Sequence, residues 1–193
     1  MKTLKRKVLI IVFMLGTFIN YANNSAFDNL FDTKKVIVEF NNVKKGNTLL
    51  IKDEEGSQLH SENINKQGKL VKTFDFSELE NGNYSLELDK DFEIVIQFIT
   101  IKNDMVTFNE EDNKIIFKPV IRTKDNKVFI SKNTFDQKPL EISIYYNNEI
   151  IYSETATSNA ILNRIYSLNK EIKGDYLVSI SNNGRNYTSK FNY

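Results

Sequence analysis

Gly82-Asn83-Tyr84-Ser85-Leu86-Glu87-Leu88 and, 92 residues later, Gly174-Asp175-Tyr176-Leu177-Val178-Ser179-Ile180 decide how this chain folds. Each stretch opens on a glycine, places a tyrosine two residues on, and keeps apolar residues at every second position after it. That period is the mark of a strand with one buried face. The same offset aligns Lys35-Val36 with Lys127-Val128 and Ser61-Glu62 with Ser153-Glu154. It also lays Val36-Ile37-Val38 on Val128-Phe129-Ile130 and Leu59 on Ile151. Leu49 and Ile51 reach Ile142 and Ile144 once the following turn loses one residue. Apolar phasing that persists over one fixed offset is how an internal repeat shows itself. The chain reads as two tandem copies of one small β-module.

The expected strands in the first copy are 35–40, 48–53, 58–63, 70–76, 84–89 and 93–101; in the second they are 127–131, 140–146, 149–154, 161–167, 176–181 and 186–192. The repeat resolves Ala160–Leu168, which could be drawn as a short amphipathic helix. Its partner Gly68–Phe76 alternates Leu70, Lys72, Phe74, Phe76, and the same phase gives Leu162, Arg164, Tyr166, Leu168, so both are strands. Asp53–Gly56 and Glu80–Asn83 read as hairpin turns of the first copy; Tyr146–Glu149 and Asn182–Arg185 read as those of the second. Between the copies, Met105–Phe108 and Lys114–Ile121 look like two further strands around Glu110-Glu111-Asp112-Asn113. The expected fold class is all-β, two tandem Ig-like antiparallel β-sandwich modules after an N-terminal signal peptide. The boundaries are 1–26 for the signal peptide, 33–104 for module 1, and 105–193 for module 2 with an additional N-terminal hairpin.

Phe (14 residues) and Tyr (9) are plentiful and Trp is absent, which suits strands. The leader has a cationic start (Lys2, Lys5, Arg6, Lys7), an apolar run from Val8 to Ile19, and then small residues at Ala22, Ser25 and Ala26. That run is too short to span a bilayer, which takes about 20 residues of helix, and the order of parts is that of a secretory leader cleaved after Ala22 or Ala26. Without the leader cations the chain holds 22 basic and 25 acidic residues, a net charge of −3. Interspersed charges with a slight acidic excess do not make a phosphate-binding face, so nucleic acid is not an expected partner. No transmembrane segment is expected in the mature chain. Cysteine is absent, which removes disulfides, thiolate metal sites and a Cys nucleophile.

Ile51-Lys52-Asp53-Glu54-Glu55-Gly56-Ser57-Gln58-Leu59, Phe74–Leu79 and Gly82–Leu88, with Ile144-Tyr145-Tyr146, Ile151 and Gly174–Ile180 in the second copy, resemble the C-terminal sorting (secretion-tail) domains and related Ig-like modules of Bacteroidota proteins. The resemblance covers most of both modules. It implies a sandwich fold and a Gram-negative envelope or surface setting, and as an alternative role a C-terminal module that serves as a sorting signal. A tyrosine after the Gly-x step can bond its hydroxyl to nearby backbone and close the sandwich edge.

Catalysis has little to work with. His60 is the single histidine; it follows Leu59 in a strand, so it is expected on the opposite, outward face, and the second copy has Tyr152 there. Glu110–Asn113 and Asp89-Lys90-Asp91 lack the spacing of a calcium loop and sit where turns belong. No Gly-rich phosphate loop is present. No catalytic residue, metal ligand set or cofactor site is expected. The remaining candidates are aromatic: Tyr145, Tyr146 and Tyr152 flank one hairpin of the second copy and Tyr187 lies on its last strand, a set suited to a protein or glycan at the cell surface. The sequence thus points to a secreted, non-enzymatic binding or scaffolding protein, with the second copy the better candidate for a ligand.

Overall fold

The computed structural model describes residues 34–193, so the expected leader at 1–26 lies outside the described residues. The chain is all-β. It divides into two compact units, one running up to Lys90 and resuming at Ile94–Ile115, the other formed by Asp91–Glu93 and Ile116–Tyr193. No helix among the described residues is long and apolar enough to cross a membrane.

In the first unit, β1 (Lys35–Val43) pairs antiparallel with β4 (Gly68–Asp75), while β3 (Gln58–Asn63), β2 (Thr48–Lys52), β5 (Gly82–Asp89), β6 (Glu93–Lys102) and β7 (Met105–Phe108) lie in that order in a second sheet. The core lies between the sheets. Val38, Phe40, Leu70, Phe74 and Phe76 come from one side, and Leu49, Ile51, Leu86, Leu88, Ile99 and Ile101 from the other. β1 runs past its expected end at Phe40 through an irregularity in the register. Asn42 takes a positive φ of 57°, and it is Val43 that then turns into the core.

β8 (Lys114–Phe117) also pairs with β6. In the second unit, β9 (Val120–Lys124) pairs with β10 (Lys127–Asn133), and β10 pairs in turn with β13 (Ile161–Ser167). The facing sheet has the order β12 (Glu149–Ala156), β11 (Leu140–Tyr146), β14 (Asp175–Asn182), β15 (Arg185–Asn192). Val128, Ile130 and Leu162 pack against Leu140, Ile142, Ile144, Val178 and Ile180 between the two sheets. The order β3-β2-β5-β6 thus recurs as β12-β11-β14-β15, and β1-β4 as β10-β13. The registers recur as well. Val36 opposes Phe74 as Val128 opposes Tyr166, and Tyr84 opposes Ile99 as Tyr176 opposes Phe191.

The tyrosine device is present in both units. Tyr84 donates its hydroxyl to the Glu80 carbonyl at 2.8 Å and Tyr176 to the Ile172 carbonyl at 3.0 Å. Each ring is buried, and each bond fixes the segment that enters the strand.

Three expectations are corrected. Residues 105–108 belong with the first unit: Asn103 and Asp104 both have positive φ, which makes a tight two-residue turn and folds β7 back onto β6. Lys114–Ile121 is two strands, because Pro119 has no N–H to continue the ladder. Glu80–Asn83 is a crossing between sheets and not a hairpin, since it joins β4 to β5. Two tight turns fall where expected, Asn147-Asn148 and Asn183-Gly184, all at positive φ.

Candidate functional site

Among the described residues, the second unit's sheets each end in a strand with one neighbour: β12 pairs with β11, and β13 with β10. Tyr152 and Glu154 of β12 oppose Ile144 and Ile142 and so share the inner face with them. Arg164 and Tyr166 of β13 oppose Ile130 and Val128, likewise on the inner face. These four side chains meet across the open side of the sandwich. Glu154 Oε1 accepts a hydrogen bond from the Tyr166 hydroxyl at 2.5 Å and from Nε of Arg164 at 3.0 Å, and Oε2 accepts one from the Tyr152 hydroxyl at 3.2 Å. The Tyr166 bond, ahead of Arg164 and Tyr152, holds the carboxyl below its ordinary range. Burial, and then the same bond, push the Tyr166 phenol far up. The two rings sit 5.3 Å apart and tilted.

Beside this cluster opens a cleft of about 480 Å³ walled by Tyr146, Tyr152, Tyr166 and Tyr176 with Ile144 and Leu168 at its base. All four tyrosine hydroxyls are committed to the protein. Tyr152 and Tyr166 turn theirs to Glu154, Tyr146 donates to the Lys173 carbonyl at 3.1 Å, and Tyr176 donates to that of Ile172. What faces the cleft is therefore mainly ring carbon, with Ser167 and Asn169 adding a polar edge. Its rim also carries apolar side chains: Ile151 is 51% exposed and Ile165 63%. An apolar cleft between two unpaired strand edges suits a large aliphatic or aromatic group carried on an extended backbone.

Of the tyrosines named from sequence, Tyr146 and Tyr152 line this cleft. Tyr145 opposes Leu177 on the other face of the sheet. Tyr187 of β15 opposes Ile180 and packs against the core. Tyr166, Tyr176, Glu154 and Arg164 join Tyr146 and Tyr152 from positions that the sequence does not group into a site. The alternation already placed Arg164 and Tyr166 on the inward face, but which edge strands face each other across a sandwich is not written in the alternation.

The first unit has the same constellation in closed form. His60, Glu62, Lys72 and Phe74 stand 92 residues before Tyr152, Glu154, Arg164 and Tyr166. Lys72 Nζ binds Glu62 Oε2, and the His60 and Phe74 rings meet edge to face at 5.9 Å. His60 is thus not outward. It opposes Ile51 and shares that residue's inner face, its side chain only 14% exposed. Leu59 misled the phase: on this edge strand both Leu59 and His60 are half-buried.

No family model matches the chain, and no curated protein matches it. Among solved structures there is a likeness to a "Biofilm associated protein - BSP domain", at 12% identity and a TM-score of 0.28, covering 83% of this chain. The match spans 27% of that structure's own length.

The acidic turn resolves into ordinary scaffolding. Glu110–Asp112 form a 3₁₀ turn, and the Asn113 side chain accepts the Phe98 N–H at 3.2 Å.

Proposed function

We propose that this chain is an exported, non-enzymatic binding or scaffolding protein of the bacterial envelope or surface, and that the second unit takes its ligand in the tyrosine cleft between β12 and β13. The observation that carries the reading is the commitment of all four cleft hydroxyls to internal partners. A glycan is recognised through hydrogen bonds to its hydroxyls, and these rings have already given their four phenol protons to internal partners. A polypeptide in extended form is the better fit: an apolar side chain fills the cleft while its main chain pairs with an open strand edge. Glu154 acts as the brace that orients two of the rings, with three donors already upon it. The repeated strand order, registers and tyrosine corners support reading the two units as copies of one module. In that case the first copy is the spacer and the second the binder.

The test is selection from a random peptide library displayed on phage against the full chain, repeated with Tyr152→Ala and Ile165→Asp. The expected result is enrichment of peptides with alternating large apolar residues, and loss of their binding in both variants. Equal binding by the variants would remove the cleft from consideration. If deletion of 116–193 instead abolished export while the first unit stayed folded, the second unit would be a sorting signal.

A further inference from the structure

His60 belongs to no part of the binding reading. It is the chain's single histidine, and its Nε2 is buried without a hydrogen-bond partner among the described residues, 3.5 Å from Oε2 of Glu62. That oxygen is already held by Lys72, reaching over from β4. Glu62 on β3 and Lys72 on β4 are the charged groups that face the imidazole; β2 presents Ile51 beside it and β4 the edge-to-face ring of Phe74.

We propose that His60 makes the closure of the first sandwich sensitive to pH: the neutral imidazole keeps the seam between β3 and β4 shut, and the imidazolium loosens it. The neutral ring packs on Phe74 as a flat apolar body. Protonation buries a second cation beside the Lys72 ammonium, and the two must share the single Glu62 carboxylate; a buried charge that is only partly compensated is costly.

The direction of titration agrees with the geometry. Burial first, and Lys72 second, hold His60 below its ordinary value of 6.5. As pH falls the unfolded chain takes up the proton before the folded one does. The contribution to stability is full above 6.5 and is lost as pH falls from there through the lowered value. Tyr152 holds the same place in the second unit and carries no charge in this range, so that unit is an internal reference.

The experiment is an NMR titration of the single imidazole in the full chain, with amide exchange of first-unit residues at about pH 7.5 and about pH 5.5, in the wild type and in His60→Tyr. The expected midpoint lies below 6.5. Protection of β3 and β4 amides should fall several-fold on acidification in the wild type and stay level in the variant. A midpoint at or above 6.5, or an equal loss of protection in both proteins, would overturn the proposal. Should His60→Tyr fail to fold, two readings on the wild type decide. They are the midpoint and the comparison of β3–β4 amides with those of β12–β13.

Discussion

Tyr166 donates a 2.5 Å hydrogen bond to Glu154 from the opposite sheet, and so ties together the two strands left open at the side of the second sandwich. Hydrogen bonds to charged groups stabilise by about 1.5–3 kcal/mol when well buried, and this one is half-buried, so the lower end applies. Tyr166→Phe is expected to lower the unfolding free energy by about 1–2 kcal/mol in denaturant titration. The bond also sets a pH dependence. Because the folded state holds Glu154 below its ordinary 4.5, the contribution is present above 4.5 and is lost as pH falls from there through the folded value. Glu154→Gln should flatten that acid limb, and an unchanged limb would show that the brace is not electrostatic.

The paired tyrosine corners invite a matched comparison. Tyr84→Phe and Tyr176→Phe each remove a hydroxyl bonded to a backbone carbonyl four residues upstream and leave the ring in place. Each should cost about 1 kcal/mol, the net worth of a neutral buried hydrogen bond. Amide exchange should assign each loss to its own unit. A loss in one unit only would mean that the device matters in one context and not the other.

Much of the strand plan was legible because a strand with one buried face must alternate, and because the 92-residue offset checked each segment against its counterpart. The offset identifies Ile161–Ser167 as a strand despite its helical look. What alternation does not carry is pairing. Asn103 and Asp104 hold ordinary polar side chains, and only their positive φ angles reveal that β7 turns back into the first sheet. The cleft was half legible for a related reason. Tyr146 and Tyr152 lie near one hairpin and could be grouped by sequence, whereas Tyr166 and Tyr176 reach the same space from elements brought there by the crossing of the sheets.

Gly174 and Gly82 hold matching places 92 residues apart, yet their environments differ. A Cβ at Gly174 would stand 2.9 Å from Cε2 of Tyr146, and φ there is +149°, a conformation that L-residues rarely adopt. At Gly82 the nearest atom is 3.7 Å away, on the Tyr84 ring. Gly174→Ala should therefore cost about 1–3 kcal/mol in thermal or denaturant unfolding and displace the Tyr146 ring from the cleft wall. Gly82→Ala should stay within about 1 kcal/mol of wild type. Equal effects at the two glycines would contradict the close approach at Tyr146.

Ile151 and Ile165 are exposed on strands that each lack a second neighbour among the described residues, and an apolar open edge is a template for further pairing. The first unit shows the usual remedy at the corresponding places, with Leu59 half-buried and Thr73 in place of an isoleucine. Ile151→Lys and Ile165→Lys change side chains that lie at the surface, so each should leave unfolding within about 0.5 kcal/mol of wild type. Both should reduce concentration-dependent self-association in sedimentation velocity, because a charge on an edge strand resists strand addition. If self-association were unaltered in the double variant, the open side of the second sandwich would not be a surface on which copies of this chain pair.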